Sequence, residues 1–329
     1  MKSKIWLLLF AVLSILLYIG QNIAIDFILK KSFEESPIYD RGQWLEQFDL
    51  HPKVVFLGSS MARHSIIPKI IQKNSNLTEG DVVILGVNAA TPYEMYLTYI
   101  KNKDRFTKTK VFYFSLEPWM YIEKYYQYKI FEKVLWSYDE WKRYMGDSVN
   151  YFSYKFQLYG RTKTEVYGRW PFNDYGYYRL NYDPDEKFKY ADKKEILDFF
   201  NDYSISYFQL EYLKKLKDEI ESTNTEFIIL YVPNHISYTK SILNYNKKYN
   251  SQIEILLNRY LGKTKQFGSF DPNDYNLTEE DYFDRFHLDH SGAIKYTEYL
   301  GNVLELSNEL QDTNIKIDYK FGKQQTQFH

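Results

Sequence analysis

Four short apolar runs recur along the chain after residue 50, and turn or polar residues bound each of them. They lie at residues 53–57, 81–86, 110–116 and 226–232 and are rich in β-branched and aromatic side chains. Apolar runs of this length without polar alternation are typical of strands buried on both faces. Segments with helical spacing follow or precede them, among them residues 68–73, 208–222, 251–260 and 291–306. The pattern predicts an α/β fold with a doubly wound, mostly parallel sheet.

Between the third and fourth runs the alternation of strand and helix stops. Residues 119–207 contain four of the six tryptophans and many tyrosines and phenylalanines. This stretch is too long for an ordinary loop, so it predicts an aromatic-rich insertion, helical over 123–145 and irregular over 159–185. Its rings fit either the core of a subdomain or a platform that contacts sugar faces.

The first thirty residues follow another pattern, because residues 5–25 carry no charge. As a helix this run would reach about 31 Å, which matches the hydrocarbon core of a bilayer. It predicts an uncleaved signal anchor over residues 1–30, a single transmembrane helix with a short cytoplasmic N-terminus and an extracytoplasmic domain at the cell membrane. A cleaved signal peptide, as in a secreted lipase-like hydrolase, is the alternative.

The remaining chain divides into three predicted parts. Residues 31–52 form a connector in which Trp44, Leu45 and Phe48 follow helical spacing, as in a short covering helix. Residues 53–308 form the α/β domain with its insertion, and residues 309–329 form a loosely ordered tail.

Composition narrows the classes of function. The net charge of −1 gives no general electrostatic attraction to nucleic acid, so no nucleic-acid partner is expected. The chain has no cysteine, which fits an exported domain that does not depend on disulfides. No glycine-rich phosphate loop of useful length occurs, and we expect neither a nucleotide cofactor nor a metal.

Two motifs carry candidate chemistry. The first apolar run ends in Gly58, Ser59 and Ser60, which places Ser60 at the carboxyl end of a strand, where open α/β sheets bind their ligands. Near the other end of the chain, Asp284 precedes His287 by three residues. Taken singly, the serine turn also fits a helix cap or a phosphate-binding turn, and the Asp–His pair also fits a solvated loop.

The order and setting of these motifs resemble the SGNH/GDSL family of serine esterases and acyltransferases. The resemblance covers residues 53–300 in layout and implies that Ser60 is the nucleophile, His287 the general base and Asp284 the acid that orients it. A metal site is the alternative interpretation of the late motif, with the ligands Asp284, His287, Asp289 and His290.

The resemblance also implies an oxyanion hole made by the backbone N–H groups of Ser60 and Gly86 and by an asparagine side chain. Asn88 is the first candidate for that asparagine, and Asn234 is the second. The family's Gly-x-Asn-Asp block is absent after the third predicted strand, where Ser-Leu-Glu-Pro-Trp stands at residues 115–119. Ser59 replaces the aspartate of the family's Gly-Asp-Ser block.

Gly-Ser-Ser forms resemble the membrane-anchored branch that modifies cell-surface polymers, such as alginate O-acetylation proteins and the D-alanyl-transfer protein of teichoic-acid modification. This resemblance implies an acyl-esterase or O-acyltransferase acting on acetyl or D-alanyl esters of a cell-surface polysaccharide or teichoic-acid-like polymer. A multi-span membrane acyltransferase would be its partner. The alternative is an inactive SGNH-fold factor that binds glycan or assists assembly.

Other polar residues have structural interpretations. His64 is predicted to be structural or to lie at the rim of the site, and His235 to line a strand end. Glu117 is predicted to be a buried carboxylate at a strand end. A helix cap or an arginine partner is its ordinary role, and substrate contact is the alternative.

Overall fold

The computed structural model describes residues 2–34, 44–122, 174–180, 204–236 and 255–303. Most of the predicted aromatic insertion, including its predicted helix over residues 123–145, lies outside the described residues, and so does the predicted tail over residues 309–329.

In the described part of the chain, five parallel strands form one sheet. They are β1 (Val54–Gly58), β2 (Val82–Gly86), β3 (Val111–Leu116), β4 (Glu226–Tyr231) and β5 (Lys265–Gly268). Their order is β2-β1-β3-β4-β5, so the chain leaves β1 toward one edge of the sheet and then returns to the other side of β1. This order creates a topological switch point between β1 and β3, which is where such sheets bind ligands. The predicted α/β, parallel architecture is confirmed.

Helices cover both faces of this sheet. The helix α1 (Lys2–Glu34) precedes the sheet in the chain. The helices that cover the sheet are α2 (Ser60–Ser65), α3 (Pro68–Asn74), α4 (Pro92–Lys101), α5 (Tyr207–Glu221) and α6 (His290–Val303). Local sequence explains where α4 begins, because Thr91 and Glu94 form a capping box and Pro92 occupies the first turn. Residues 44–47 and 255–261 are also helical.

Alternate residues of each strand face different cores. Val55, Leu57 and Phe112 belong to a core with α4 and α5, whereas Val54 and Phe56 belong to a core with α2, α3 and α6. Because both faces of the strands are buried, the strands read as continuous apolar runs rather than as alternating ones.

The connector and the N-terminal helix differ in burial. Trp44 and Leu45 are buried, whereas Phe48 is 55% exposed, so two of the three residues in the predicted covering stripe pack on the domain. Helix α1 exposes large apolar side chains from Ile5 to Ile23. Within the residues that the structure describes, no helix meets the combined length and apolarity of a membrane span, and the predicted transmembrane helix stays a prediction.

Candidate active site

Ser60 begins helix α2 immediately after the buried strand β1. The preceding Ser59 caps this helix, since its side chain accepts a hydrogen bond of 3.1 Å from the backbone N–H of Met61. The strand, the cap and the helix therefore hold Ser60 at the carboxyl end of the sheet, beside the switch point between β1 and β3.

The structure brings Ser60, His287 and Asp284 together. Ser60 Oγ lies 2.8 Å from His287 Nε2, and His287 Nδ1 lies 2.7 Å from Asp284 Oδ2. An ionised carboxylate only accepts hydrogen bonds, so Nδ1 carries the hydrogen and Nε2 accepts from the Ser60 hydroxyl. In this arrangement the imidazole can take the hydroxyl proton as the oxygen attacks.

Asp284 is itself oriented by the backbone of its own turn. Its Oδ1 accepts hydrogen bonds from the N–H groups of Phe286 at 2.7 Å and His287 at 2.8 Å. Burial opposes ionisation, but the bonds from the His287 ring and from these two N–H groups outweigh it and lower the pKa of Asp284. The carboxylate thus stays charged and fixed toward the ring.

Gly86 ends β2 against the serine turn. A Cβ at this position would lie 2.7 Å from the carbonyl oxygen of Ser59 and 3.1 Å from Arg63 Cβ, so glycine is required for the close approach. Asn88 is half-buried, and its Oδ1 accepts a hydrogen bond of 3.4 Å from Arg63 Nη1. The structure therefore places both residues beside the nucleophile turn and its helix, while their role as oxyanion donors stays a prediction.

Asn234 and His235 lie at the carboxyl end of β4, as the sequence predicts for His235, and both are buried. The N–H of Asn234 donates to the carbonyl oxygen of Phe270, and the N–H of His235 donates to that of Arg285. The bond of Asn234 ties the end of β4 to the residues after β5, and the bond of His235 ties it to the loop that carries Asp284.

The alternative metal cluster is not assembled. Asp289 Oδ1 accepts 2.8 Å bonds from Ser291 Oγ and the Gly292 N–H, and His290 Nδ1 lies 2.8 Å from the hydroxyl of Tyr177. No group of three histidine, cysteine or carboxylate side chains that could hold a metal ion occurs in the described parts of the chain.

His64 lies deeper in the site than the sequence alone indicates. It is buried, and its ring meets that of His287 edge to face, with the ring centroids 5.1 Å apart. Its Nδ1 donates to the carbonyl oxygen of Tyr178 at 2.7 Å. Burial is the main reason that its pKa falls to about 3, and the charge on His287 adds to this effect.

Glu117 is buried at the end of β3, as predicted, but its partner is a serine. Ser59 Oγ donates to Glu117 Oε1, and both side chains are almost fully buried. Burial raises the pKa of Glu117 to about 7, although hydrogen bonds from Ser59 and Trp119 act in the opposite direction. Neither residue carries a local signal that pairs it with the other, since they lie 58 positions apart.

Residues 174–180, which we call the strap, lie against helix α2. The N–H of Tyr178 donates to the carbonyl oxygen of Arg63 at 3.1 Å, and the guanidinium carbon of Arg63 lies 4.8 Å from the centre of the Tyr178 ring. At its two ends, the strap is held by Lys69, which pairs with Asp174, and by the N–H of His290, which donates to Leu180. The sequence gives no signal for these contacts beyond the position of Arg63 one turn after Ser60.

Comparisons with other proteins give no family assignment. No protein-family model matches the chain, and a search of curated proteins finds no match.

Proposed function

We propose that the protein is a serine acyl-esterase or O-acyltransferase that works through an acyl-serine intermediate. The observation that carries the proposal is the continuous set of hydrogen bonds from Ser60 Oγ to His287 and on to Asp284. Buried, oriented carboxylate–imidazole–hydroxyl sets of this kind activate a serine for attack on acyl carbon. The resemblance to the SGNH/GDSL family supports the same reaction.

In the first half-reaction, Ser60 Oγ forms a bond to the acyl carbon while its proton moves to His287 Nε2. The bond from the acyl carbon to the alcohol oxygen then breaks, and that oxygen takes the proton from His287. Asp284 stabilises the positive ring in between. In the second half-reaction, water or a sugar hydroxyl attacks the acyl carbon and gives its proton to His287. The bond from the acyl carbon to Ser60 Oγ then breaks, and Oγ takes the proton back from His287.

The substrate class follows from the resemblance, which favours acetyl or D-alanyl esters of a cell-surface glycan or teichoic-acid-like polymer. We propose that α1 anchors the protein in the cell membrane, and the exposure of apolar side chains such as Leu8 (67%) and Phe10 (71%) supports this. A transferase outside the membrane needs a delivered acyl donor, so a multi-span membrane acyltransferase is its expected partner.

The proposal is tested with the full-length chain in detergent and a fluorophosphonate, which labels activated serines. We expect one adduct on Ser60 by intact-protein mass spectrometry and none with Ser60→Ala. His287→Ala should slow labelling by about four orders of magnitude or more, because the members of such a set act as a unit. Product analysis with an acetyl ester then separates hydrolysis from transfer.

Ser65→Ala is the matched control, since Ser65 is a buried serine of the same helix. It should be labelled like the wild type. A wild-type protein that is folded by circular dichroism and forms no adduct would contradict the enzyme proposal and favour the inactive glycan-binding factor.

A further inference from the structure

Glu117 is a buried acid that the acyl-transfer steps above do not use. It follows the last residue of β3 and is 1% exposed. Because β1 and β3 are parallel neighbours, the ends of both strands meet, and this brings Glu117 to Ser59, the residue directly before Ser60. A buried carboxylate beside the nucleophile turn requires hydrogen-bond partners, since an isolated buried charge is costly.

The hydroxyl of Ser59 connects this carboxylate to the nucleophile turn. Its single hydroxyl hydrogen goes to Glu117, so a lone pair remains for the N–H of Met61, 3.1 Å away. Ser60 lies between Ser59, which carries this hydroxyl, and Met61, which donates to it. Glu117 thus fixes the rotation of the hydroxyl that closes the turn around Ser60.

Further groups act on the carboxylate itself. The backbone of Ser59 and the side chain of Trp119 both lower the pKa of Glu117, so both stabilise its charged form. The acid is therefore linked to the end of β1 through Ser59 and to the residues after β3 through Trp119.

We infer that Glu117 is a positioning residue, which acts through Ser59 to hold Ser60 within hydrogen-bond distance of His287. The inference rests on the proposed function, because it gives Ser60 the role of nucleophile. It adds a fourth and a fifth polar side chain, Glu117 and Ser59, to the set that controls the reaction.

Activity is the first test, with Glu117→Gln, Ser59→Ala and the double variant in the full-length chain. Each single variant should form the fluorophosphonate adduct about ten to a hundred times more slowly, because small displacements of a reacting atom have effects of this size. With a soluble acetyl ester, kcat should fall and KM should stay the same. The double variant should match the single ones, since both changes remove one linkage.

The matched control is Glu226→Gln. Glu226 begins the neighbouring strand β4, at the opposite end of the sheet from Ser60, and its partner is Lys265. The same chemical change there should leave the rate of adduct formation unaltered. Equal rates for wild type and Glu117→Gln, with both folded, would overturn the inference.

Thermal unfolding provides a readout that needs no activity. The pKa of Glu117 is raised from 4.5 to about 7, so the folded protein holds this proton more tightly than the unfolded chain. Stability from this group is therefore lost as the pH rises from 4.5 to about 7. The difference in Tm between Glu117→Gln and wild type should increase over that range. The charge on His287 also acts on Glu117 and lowers its pKa. The pH dependence from groups that do not act on Glu117, among them His64, occurs in both proteins and cancels.

Ser59→Ala helps to distinguish failure of the proposed function from failure of the Ser59–Glu117 linkage. It removes a hydrogen bond that lowers the pKa of Glu117, so the pH-dependent loss of stability should extend to higher pH. If wild type shows no adduct but these shifts in Tm occur, the proposed function fails while the Ser59–Glu117 linkage stands. If neither Glu117→Gln nor Ser59→Ala changes the pH dependence of Tm, the linkage itself is refuted, whatever the activity.

Discussion

Two imidazoles, those of His64 and His287, meet at this site in different environments. His64 donates to a backbone carbonyl and lies beside Arg63. Its burial is the main reason that its ring stays neutral near neutral pH. A neutral His64 does not repel the positive charge that forms on His287 during acyl transfer. Neighbouring groups with different environments can thus take different roles.

At acid pH the same burial becomes destabilising. The pKa of His64 is lowered from 6.5 to about 3, so the unfolded chain binds this proton more readily than the folded protein. As the pH falls through that range, the free energy of unfolding should decrease by up to about 1.4 kcal/mol per pH unit. His64→Gln should weaken this pH dependence in denaturant titrations at pH 7, 6 and 5.

His51→Gln is the control for this prediction, because it removes an imidazole before β1, away from the site. The slope for His64→Gln should be shallower than the slope for His51→Gln. An identical slope for His64→Gln and the wild type would show that His64 is not the group responsible.

The end of β2 and the nucleophile turn meet with no space for a side chain on Gly86. We expect Gly86→Ala to push the carbonyl of Ser59 and the side chain of Arg63 away, since its Cβ would lie within 3.1 Å of each. The cost should be about 1–3 kcal/mol in stability, as for other overpacked sites. The rate of labelling at Ser60 should fall by about a hundredfold, because the turn carries the reacting atom.

Gly20→Ala is the comparison variant, because a Cβ at Gly20 meets no atom within 4 Å. It should leave both the unfolding midpoint and the labelling rate unaltered. Wild-type kinetics in Gly86→Ala would mean that the turn tolerates displacement.

Elements with strong local patterns are the ones that the sequence predicts. The four predicted runs agree with β1 to β4 to within one residue at each end, because each is an uninterrupted apolar run between turn residues. The sequence does not predict β5. It is a four-residue strand that begins with Lys265 and Gln266, and its side chains are exposed or half-buried, so it shows no apolar run.

The same distinction applies to the site. The Ser60 turn and the Asp284–His287 pair are local motifs, and the structure brings them together. The contact of Glu117 with Ser59 and that of Tyr178 with Arg63 join distant positions, and each of these residues also has an ordinary local interpretation. The first contact depends on the pairing of strands β1 and β3, and the second depends on where the strap lies.

On the scale of the whole molecule, α1 differs from every other described helix. Its exposed side chains are apolar over most of its length, whereas α4 and α5 bury one face against the domain. A helix that is hydrophobic all round is typical of apolar surroundings. The proposed attachment to a membrane would place these apolar side chains in hydrocarbon.

Vesicle flotation tests the attachment. The full-length chain should float with lipid vesicles, and Leu13→Glu combined with Leu16→Glu should abolish this, because charged residues at the centre of a span cost roughly 2.5–3.5 kcal/mol each. Ile255→Glu is the control, since Ile255 is 65% exposed on the domain. Flotation of the double variant like that of the wild type would contradict attachment through α1.

The strap also has a consequence for the open edge of the sheet. Among the residues that the structure describes, β2 is an edge strand, and Gly176 lies so close to it that a Cβ would be 2.1 Å from the carbonyl oxygen of Ile84. Gly176 also has a φ of 99°, which favours glycine. Uncovered edge strands pair with other chains and seed aggregates. The segment that contacts helix α2 therefore also covers this edge at Ile84, so the same seven residues lie against both the helix that begins with Ser60 and an edge that could otherwise pair with another chain.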